Sequence, residues 1–305
     1  MSVLARVAVR VPASTSNLGP GFDCLGLALK LYNELRVEKL SERGAPVVEI
    51  AGEGAGSLPR GPENLMVRAA QSVLAGRCAN RLVFKCVNRI PLARGLGSSA
   101  AAITAGLFAA NRLLRPAPFT PEELLARAIE LEGHPDNVTP AIFGGAAVSV
   151  KGPAGVRRFS LKTHPDLAAV VCIPDFELAT ARARAVLPAS FPREAAVENV
   201  SRAMLLASAL ERGRWADLAE AMGDRLHQPF RAALIPGFSD VLTAALRAGV
   251  CGAALSGSGP TLLALCRRGQ RARAIGAAMR KAFAAHGVTS RALVLAVDRR
   301  GIRVR

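Results

Sequence analysis

Residues 91–102, PLARGLGSSAAA, constrain this chain more than any other segment. They follow an extended-looking run, Leu82-Val83-Phe84-Lys85-Cys86-Val87, and lead into an Ala-rich run of helical character at 100–114. A strand, a loop carrying Gly95, Gly97, Ser98 and Ser99, and a helix start therefore succeed one another. Glycine lets backbone amides approach an anion, and the first amides of a helix have no internal partner. The helix dipole adds partial positive charge at the same end. One reading is a phosphate cradle, and with it a nucleotide-binding enzyme. The other is a plain turn and cap, which Gly-Ser clusters also make. No Gly-Lys-Ser/Thr follows the glycines, so the loop is not a P-loop, and the glycine spacing is wrong for the dinucleotide fingerprint.

A chain of 305 residues with 50% hydrophobic content can bury one large core or two modest ones. Its apolar runs are too short or too rich in Ala and Gly to span a bilayer, and the N-terminus lacks an extended apolar segment of the signal-peptide kind. A soluble, cytoplasmic protein with no membrane partner is expected. The six cysteines form no C-x-x-C pair and sit mostly in apolar runs, which predicts buried thiols; the four histidines have no metal-ligand spacing. Net charge is +17, but the arginines are dispersed and there is one Trp and one Tyr, a poor supply for stacking bases. No nucleic-acid partner is expected. The excess charge suits anionic small molecules.

Strands are expected at 3–11, 47–51, 82–90, 141–150, 167–173, 253–266 and 291–297, with extended runs broken by a turn at Tyr32-Asn33 within 25–39. Helices are expected at 63–75, 100–114, 197–211, 215–226, 239–248 and 271–286. Thr120 followed by Pro121 and Glu123 signals a helix start, and Gly133 its end. Intermingled strands and helices without strict alternation indicate an α+β fold. The Gly/Pro-rich stretch 151–155 suggests a division into domains 1–153 and 154–305.

Three further segments carry polar groups in unusual density. Residues 11–26, VPASTSNLGPGFDCLG, follow a strand directly; Asn17 and Asp23 there either shape an ornate turn or hold a substrate, with Asp23 pairing an ammonium. Residues 130–137, ELEGHPDN, place carboxylates at a helix C-terminus, against the macrodipole, which suits a task such as holding Mg²⁺. Glu130 and Glu132 lie about 200° apart around a helix, so at most one of them faces a metal. Residues 255–261, LSGSGPT, either let backbone approach a ligand or make a strand-to-helix turn.

Taken in order, VPASTSNLGPGFDCLGLAL, PLARGLGSSAAA, EGHPDNVTPAIFGG and ALSGSGPT resemble the motifs of the GHMP small-molecule kinases over essentially the full length. The second and fourth are general to that superfamily; the first and third are most similar to its members that phosphorylate L-homoserine. The resemblance implies two α+β domains, the first like domain 2 of ribosomal protein S5, with the active site in the cleft between them. It implies ATP and Mg²⁺ as cofactors and L-homoserine as the small-molecule partner, in a threonine-forming sequence; it leaves a homodimer open. ATP phosphates would lie along Pro91, Leu92, Ala93, Arg94, Gly95, Leu96, Gly97, Ser98, Ser99, Ala100 and Ala101. Ser98 or Ser99 would touch the metal, with Glu132 favoured over Glu130 as its carboxylate. Asn17, Asp23, His134 and Asn137 would line the amino-acid pocket, with Arg184 (Arg182 being the neighbouring alternative) and Arg231 on the substrate carboxylate. Asn17, Asn137 and Arg184 would serve the reaction itself. Asp136 has the chemistry of a general base, but the resemblance places Asn137 at the corresponding spot, and a loose phosphoryl-transfer transition state needs little early deprotonation. No obligatory side-chain base is expected. The rivals are a GHMP kinase for another alcohol, mevalonate- or sugar-type, and a non-catalytic binding protein on the same scaffold.

Overall fold

Alternating apolar and polar residues at the start of the chain build one long hairpin. Val7, Val9 and Val11 are buried while Arg6, Ala8 and Arg10 are exposed, giving β1 (Val3–Asn17). It pairs antiparallel with β2 (Gly21–Arg43) in the computed structural model, which describes every residue except Met1, Arg77, Ala154 and Gln270. The turn expected at Tyr32-Asn33 is absent. Both residues stay inside β2, and the register slips instead: Pro12 faces Tyr32 but Ala13 faces Leu29. A residue with no N–H to donate suits such a bulge. Asn33 is spent on another task, because its side-chain oxygen accepts from the amides of Arg89 and Ile90 at the entrance to the Gly-Ser loop.

β3 (Val47–Gly52), α1 (Leu65–Leu74) and β4 (Asn80–Asn88) follow, with β3 parallel to β4 and β4 antiparallel to β2. Next come α2 (Ser98–Leu113), α3 (Pro121–Glu132) and α4 (Pro135–Phe143). α2 is buried along most of its length, which explains its small residues. A Cβ added at Gly106 would stand 2.2 Å from the Met66 carbonyl oxygen of α1. α3 starts on the expected Thr120–Glu123 capping box and ends at Gly133. α4 was not expected: residues 141–143, read as the start of a strand, are its last turn. Pro135 stands in its first turn, where a missing N–H is harmless. Gly144 and Gly145, both at positive φ, end it and release β5 (Ala146–Gly152).

β5 pairs with β2 on one side and β6 (Gly155–Leu161) on the other. The stretch expected to divide two domains is therefore the turn of a hairpin, with Gly152 opposite Gly155; Ala154 lies outside the described residues. The first sheet thus runs on to Leu161, past the expected division at 153.

The second sheet opens with β7 (Leu167–Pro174), whose continuous apolar run is buried throughout. α5 (Thr180–Ala185), α6 (Arg193–Arg212), α7 (Leu218–Ala221), α8 (Gln228–Arg231) and α9 (Phe238–Arg247) precede β8 (Gly252–Leu255) and β9 (Leu262–Arg267). The helix expected over 215–226 is interrupted: a 3₁₀ turn, Trp215–Asp217, leads into the short α7. The strand-like segment 253–266 is two strands joined by a turn, not a strand-to-helix turn. α10 (Ala272–Ala285), β10 (Ser290–Ala296) and β11 (Arg303–Val304) complete the chain. The second sheet has the antiparallel order β10-β7-β9-β8; β11 returns to the first sheet beside β1, in the order β11-β1-β2-β4-β3. The α+β expectation holds.

One core cluster joins β1, β2, α2 and α4 to Val171, Ile173, Leu263 and Leu265 of the second sheet, while Val170, Cys172, Val241 and Met279 form another on the sheet's opposite face. Cys86, Cys172 and Cys266 are buried and the other three cysteines half-buried, with no disulfide among the described residues. No described helix is long and apolar enough to cross a membrane.

Candidate active site

The two halves meet where the β1–β2 turn, the Gly-Ser loop and the β8–β9 turn converge. The Ser256 hydroxyl donates to the Gly95 carbonyl at 2.6 Å, and the Gly257 amide donates to the Ser16 carbonyl at 3.0 Å. A Cβ on Gly95 would lie 2.1 Å from the Ser256 carbonyl oxygen, so the second half closes directly onto the loop. The close approach expected of the 255–261 segment is thus to other backbone first; only Gly257 and Ser258 also reach the cleft.

That cleft has a volume of about 540 Å³. Leu92, Ala93, Arg94, Gly95, Gly97, Ser98 and Ser99 line it. Pro91, Leu96, Ala100 and Ala101 are buried behind that wall. Gly97 is the N-cap of α2 at φ 69°, and a Cβ there would stand 2.1 Å from the Ser14 hydroxyl. Gly97, Ser98 and Ser99, at the start of a well-buried 16-residue helix, line the cleft, the place where an anion cradle would stand. Arg94 does not float above the loop: its guanidinium donates to the carbonyls of Leu92, Pro174 and Asp175.

At the other end the charges are carried by side chains. Asn17 and Asp23 both adopt positive φ, 69° and 55°, which Asn and Asp tolerate better than most residues. The Asn17 side chain accepts from the Asp23 amide and donates to the Gly257 carbonyl, both at 3.0 Å. Asp23 takes a two-pronged ion pair from Arg184 of α5, each N–O distance 2.9 Å. Arg182, the alternative to Arg184, is exposed and outside the lining. Arg231 is 2% exposed and also reaches the cleft.

Between the two ends stand the groups of the α3–α4 corner. Glu132 lines the cleft and accepts from the Ser99 hydroxyl at 2.6 Å, whereas Glu130 is exposed and outside the lining. The half-turn separation of the two on α3 decides which one faces in. Burial holds the Glu132 carboxyl above the ordinary range, against the pull of the Ser99 hydrogen bond and His134. The Ser98 hydroxyl donates to the Ile90 carbonyl at 3.4 Å, so Ser99 rather than Ser98 is engaged with Glu132. His134 Nδ1 lies 2.6 Å from Asp136 Oδ1. Burial would lower the imidazole pKa, but the hydrogen bond and charge of Asp136, with Glu132, raise it overall. The Asn137 amide is locked on β1: its oxygen accepts from Ser14 and its nitrogen donates to Ser16.

The site residues named from sequence thus gather around one cleft, apart from those packed behind its wall. Reasoning from sequence missed its third side: Ser57, Leu58, Pro59 and Glu63 to Met66, with Asn33 and Asn88. Asn64 caps α1 and donates to the Pro59 carbonyl, which fixes that wall. A Pro-Arg-Gly-Pro-Glu-Asn turn gives no cue to a ligand by itself.

Two family models match the chain, the GHMP kinases N-terminal domain over residues 64–145 and the GHMP kinases C-terminal region over 206–285. A homoserine kinase of Moorella thermoacetica is 48% identical over 92% of this chain and 93% of its own length. The chain belongs to the homoserine kinase branch of the GHMP kinase family. The crystal structure of a homoserine kinase from Cytophaga hutchinsonii superposes with a TM-score of 0.90 at 31% identity, covering 100% of this chain and 99% of that one. L. major mevalonate kinase shares the fold alone, with a TM-score of 0.68 at 16% identity over 93% of this chain and 94% of that one. GHMP kinases are ATP-dependent phosphotransferases, and the chain is an enzyme of that family.

Proposed function

We propose that the chain transfers the γ-phosphoryl group of ATP to the side-chain hydroxyl of L-homoserine, giving ADP and O-phospho-L-homoserine on the way to threonine, in the cytoplasm. The observation that carries this reading is the presence in one cleft lining of a carboxylate, Asp23, paired with the Arg184 guanidinium, and of a second guanidinium, Arg231. A zwitterion needs both signs. A mevalonate-type monoanion has no use for Asp23.

In this scheme the triphosphate rests on the amides of residues 95–99, and the apolar wall of Leu58, Pro59, Leu65 and Met66 takes the base. Glu132 and Ser99 suit a metal that is otherwise held by phosphate and water. No described group of three or more His, Cys, Asp or Glu side chains could hold one alone, and Mg²⁺ typically uses one or two carboxylates beside phosphate oxygens. Mg²⁺ bound there neutralises phosphate charge. The substrate ammonium displaces Arg184 from Asp23, and its carboxylate takes Arg184 in a two-pronged contact and the remaining nitrogen of Arg231 in a single one. The hydroxyl oxygen then attacks phosphorus in line as the bond to ADP breaks, and its proton passes late to an oxygen of the transferred phosphoryl group and from there to water. Asp136 is already engaged by His134, and Asn137 fixes β1 against α4, so positioning and charge carry the rate.

A coupled assay for ADP release with ATP, Mg²⁺ and a panel of alcohols tests the reading. Turnover should depend on L-homoserine; equal or better turnover on mevalonate would reject it, and no turnover with duplex binding sensitive to salt would favour a binding protein.

A further inference from the structure

We infer that His227 is a positioning residue for the acceptor site, fixing Arg231 and the 17–23 turn in a single arrangement; this rests on the reading of the acceptor pocket above.

His227 is 0% exposed and does not line the cleft. Its Nε2 lies 2.8 Å from the Gly19 carbonyl oxygen and its Nδ1 lies 3.3 Å from Nη1 of Arg231. A carbonyl can only accept and a guanidinium can only donate, so the ring carries its proton on Nε2 and offers the Nδ1 lone pair to the arginine. It is a neutral bridge between two elements of opposite duty. Gly19 belongs to the turn carrying Asn17 and Asp23, which would hold the ammonium; Arg231 would hold the carboxylate.

The bridge is itself held rigidly. Asp224 accepts from the amides of Leu226, His227 and Gln228 and from the Asn199 side chain, fixing the backbone from which the ring projects. The ring stacks on Phe22, with centroids 5.1 Å apart and planes at 20°, and the Arg231 guanidinium sits 5.3 Å from the same Phe22 ring. Arg231 also donates to the carbonyls of Ala183 and Gly257, so His227 supplies the acceptor that comes from its own helical turn. A histidine that merely filled space would need neither hydrogen bond. Without this one, the Gly19 carbonyl loses a buried donor and the guanidinium loses one of its acceptors.

The test separates the two arms. Asn at 227 keeps an acceptor near the Nδ1 position, and Gln keeps a donor near Nε2; Phe keeps neither. His227→Phe should raise the L-homoserine KM at least tenfold and leave the ATP KM within twofold. His227→Asn should restore the L-homoserine KM to within about threefold of the native value, and His227→Gln should restore it less. If His227→Phe fails to fold, the Asn variant must still bind L-homoserine more tightly than the Gln variant. A folded His227→Phe enzyme with an unchanged L-homoserine KM would overturn the inference, as would both KM values rising together or Gln matching Asn. Arg231→Ala run alongside tells the two failures apart. An unchanged L-homoserine KM there would sink the pocket reading itself, whereas a large rise there beside an unchanged His227→Phe enzyme would sink this inference alone.

Discussion

In the proposed scheme the two ends of the cleft recognise charge by opposite means. The Gly-Ser loop would offer backbone amides from one contiguous stretch, with no side chain at Gly97, where Ser14 comes close. The acceptor end offers side chains drawn from the β1–β2 turn, α5 and α8, brought together only by folding. The first end should tolerate no added carbon at its glycines. The second should tolerate backbone variation better than the loss of one charge. Before substrate arrives, the second end is also self-paired, since Arg184 occupies Asp23. An incoming zwitterion exchanges one ion pair for two, which favours ligands that bring both signs.

The largest expected effect falls on the backbone end. Gly97→Ala forces a side chain into positive φ and against the Ser14 hydroxyl, which itself bonds Asn137. Strain and overpacking of about 2–5 kcal/mol predict a loss of roughly a thousandfold in kcat/KM for both substrates, measured by steady-state kinetics. Arg184→Ala should be more selective. Losing a two-pronged charged contact costs about 2–4 kcal/mol, so the L-homoserine KM should rise about a hundredfold while the ATP KM stays within twofold. If both substrates suffer equally, the two ends are not separable as described. Asp136→Asn should cost about tenfold in kcat; a loss beyond about a thousandfold in a folded variant would restore the side-chain base.

The smallest effect is on stability. Burial, outweighing the attraction of Asp224 and Asp23 and aided by the repulsion of Arg231, lowers the His227 pKa. The unfolded chain therefore binds a proton that the folded one refuses. The stability this imidazole supports is present above its ordinary value of about 6.5 and lost as pH falls below it. Thermal melts should show Tm falling across that window, and His227→Gln should flatten the slope; an equal slope in both proteins would assign the effect to other groups.

What was legible in the sequence follows the same division. The loop and the α3 start declare themselves because every residue needed is local: Gly95 and Gly97 for backbone approach, Thr120 and Glu123 for reciprocal capping. That only one of Glu130 and Glu132 faces in followed from helical geometry; the preference for Glu132 came from the resemblance. The bulge at Pro12 and the run of β2 through Tyr32-Asn33 were hidden, because Asn33 has a turn-forming identity but spends its side chain on amides some 56 residues away. α4 was hidden because its last turn, 141–143, continues into an apolar strand and because it carries Pro135 and Pro140, one in its first turn and one within it. The wall at 57–66 and the role of His227 depend on packing across the cleft, which no local pattern encodes.

The most direct measurement compares kcat/KM for L-homoserine with that for 4-hydroxybutanoate, which keeps the hydroxyl and the carboxylate but lacks the ammonium. A pocket that sorts zwitterions through Asp23 predicts a preference of at least about a hundredfold, the worth of roughly 3 kcal/mol of lost charged contact, and Asp23→Asn should erase most of it. Turnover of the two alcohols within about fivefold of each other in the native enzyme would contradict the account.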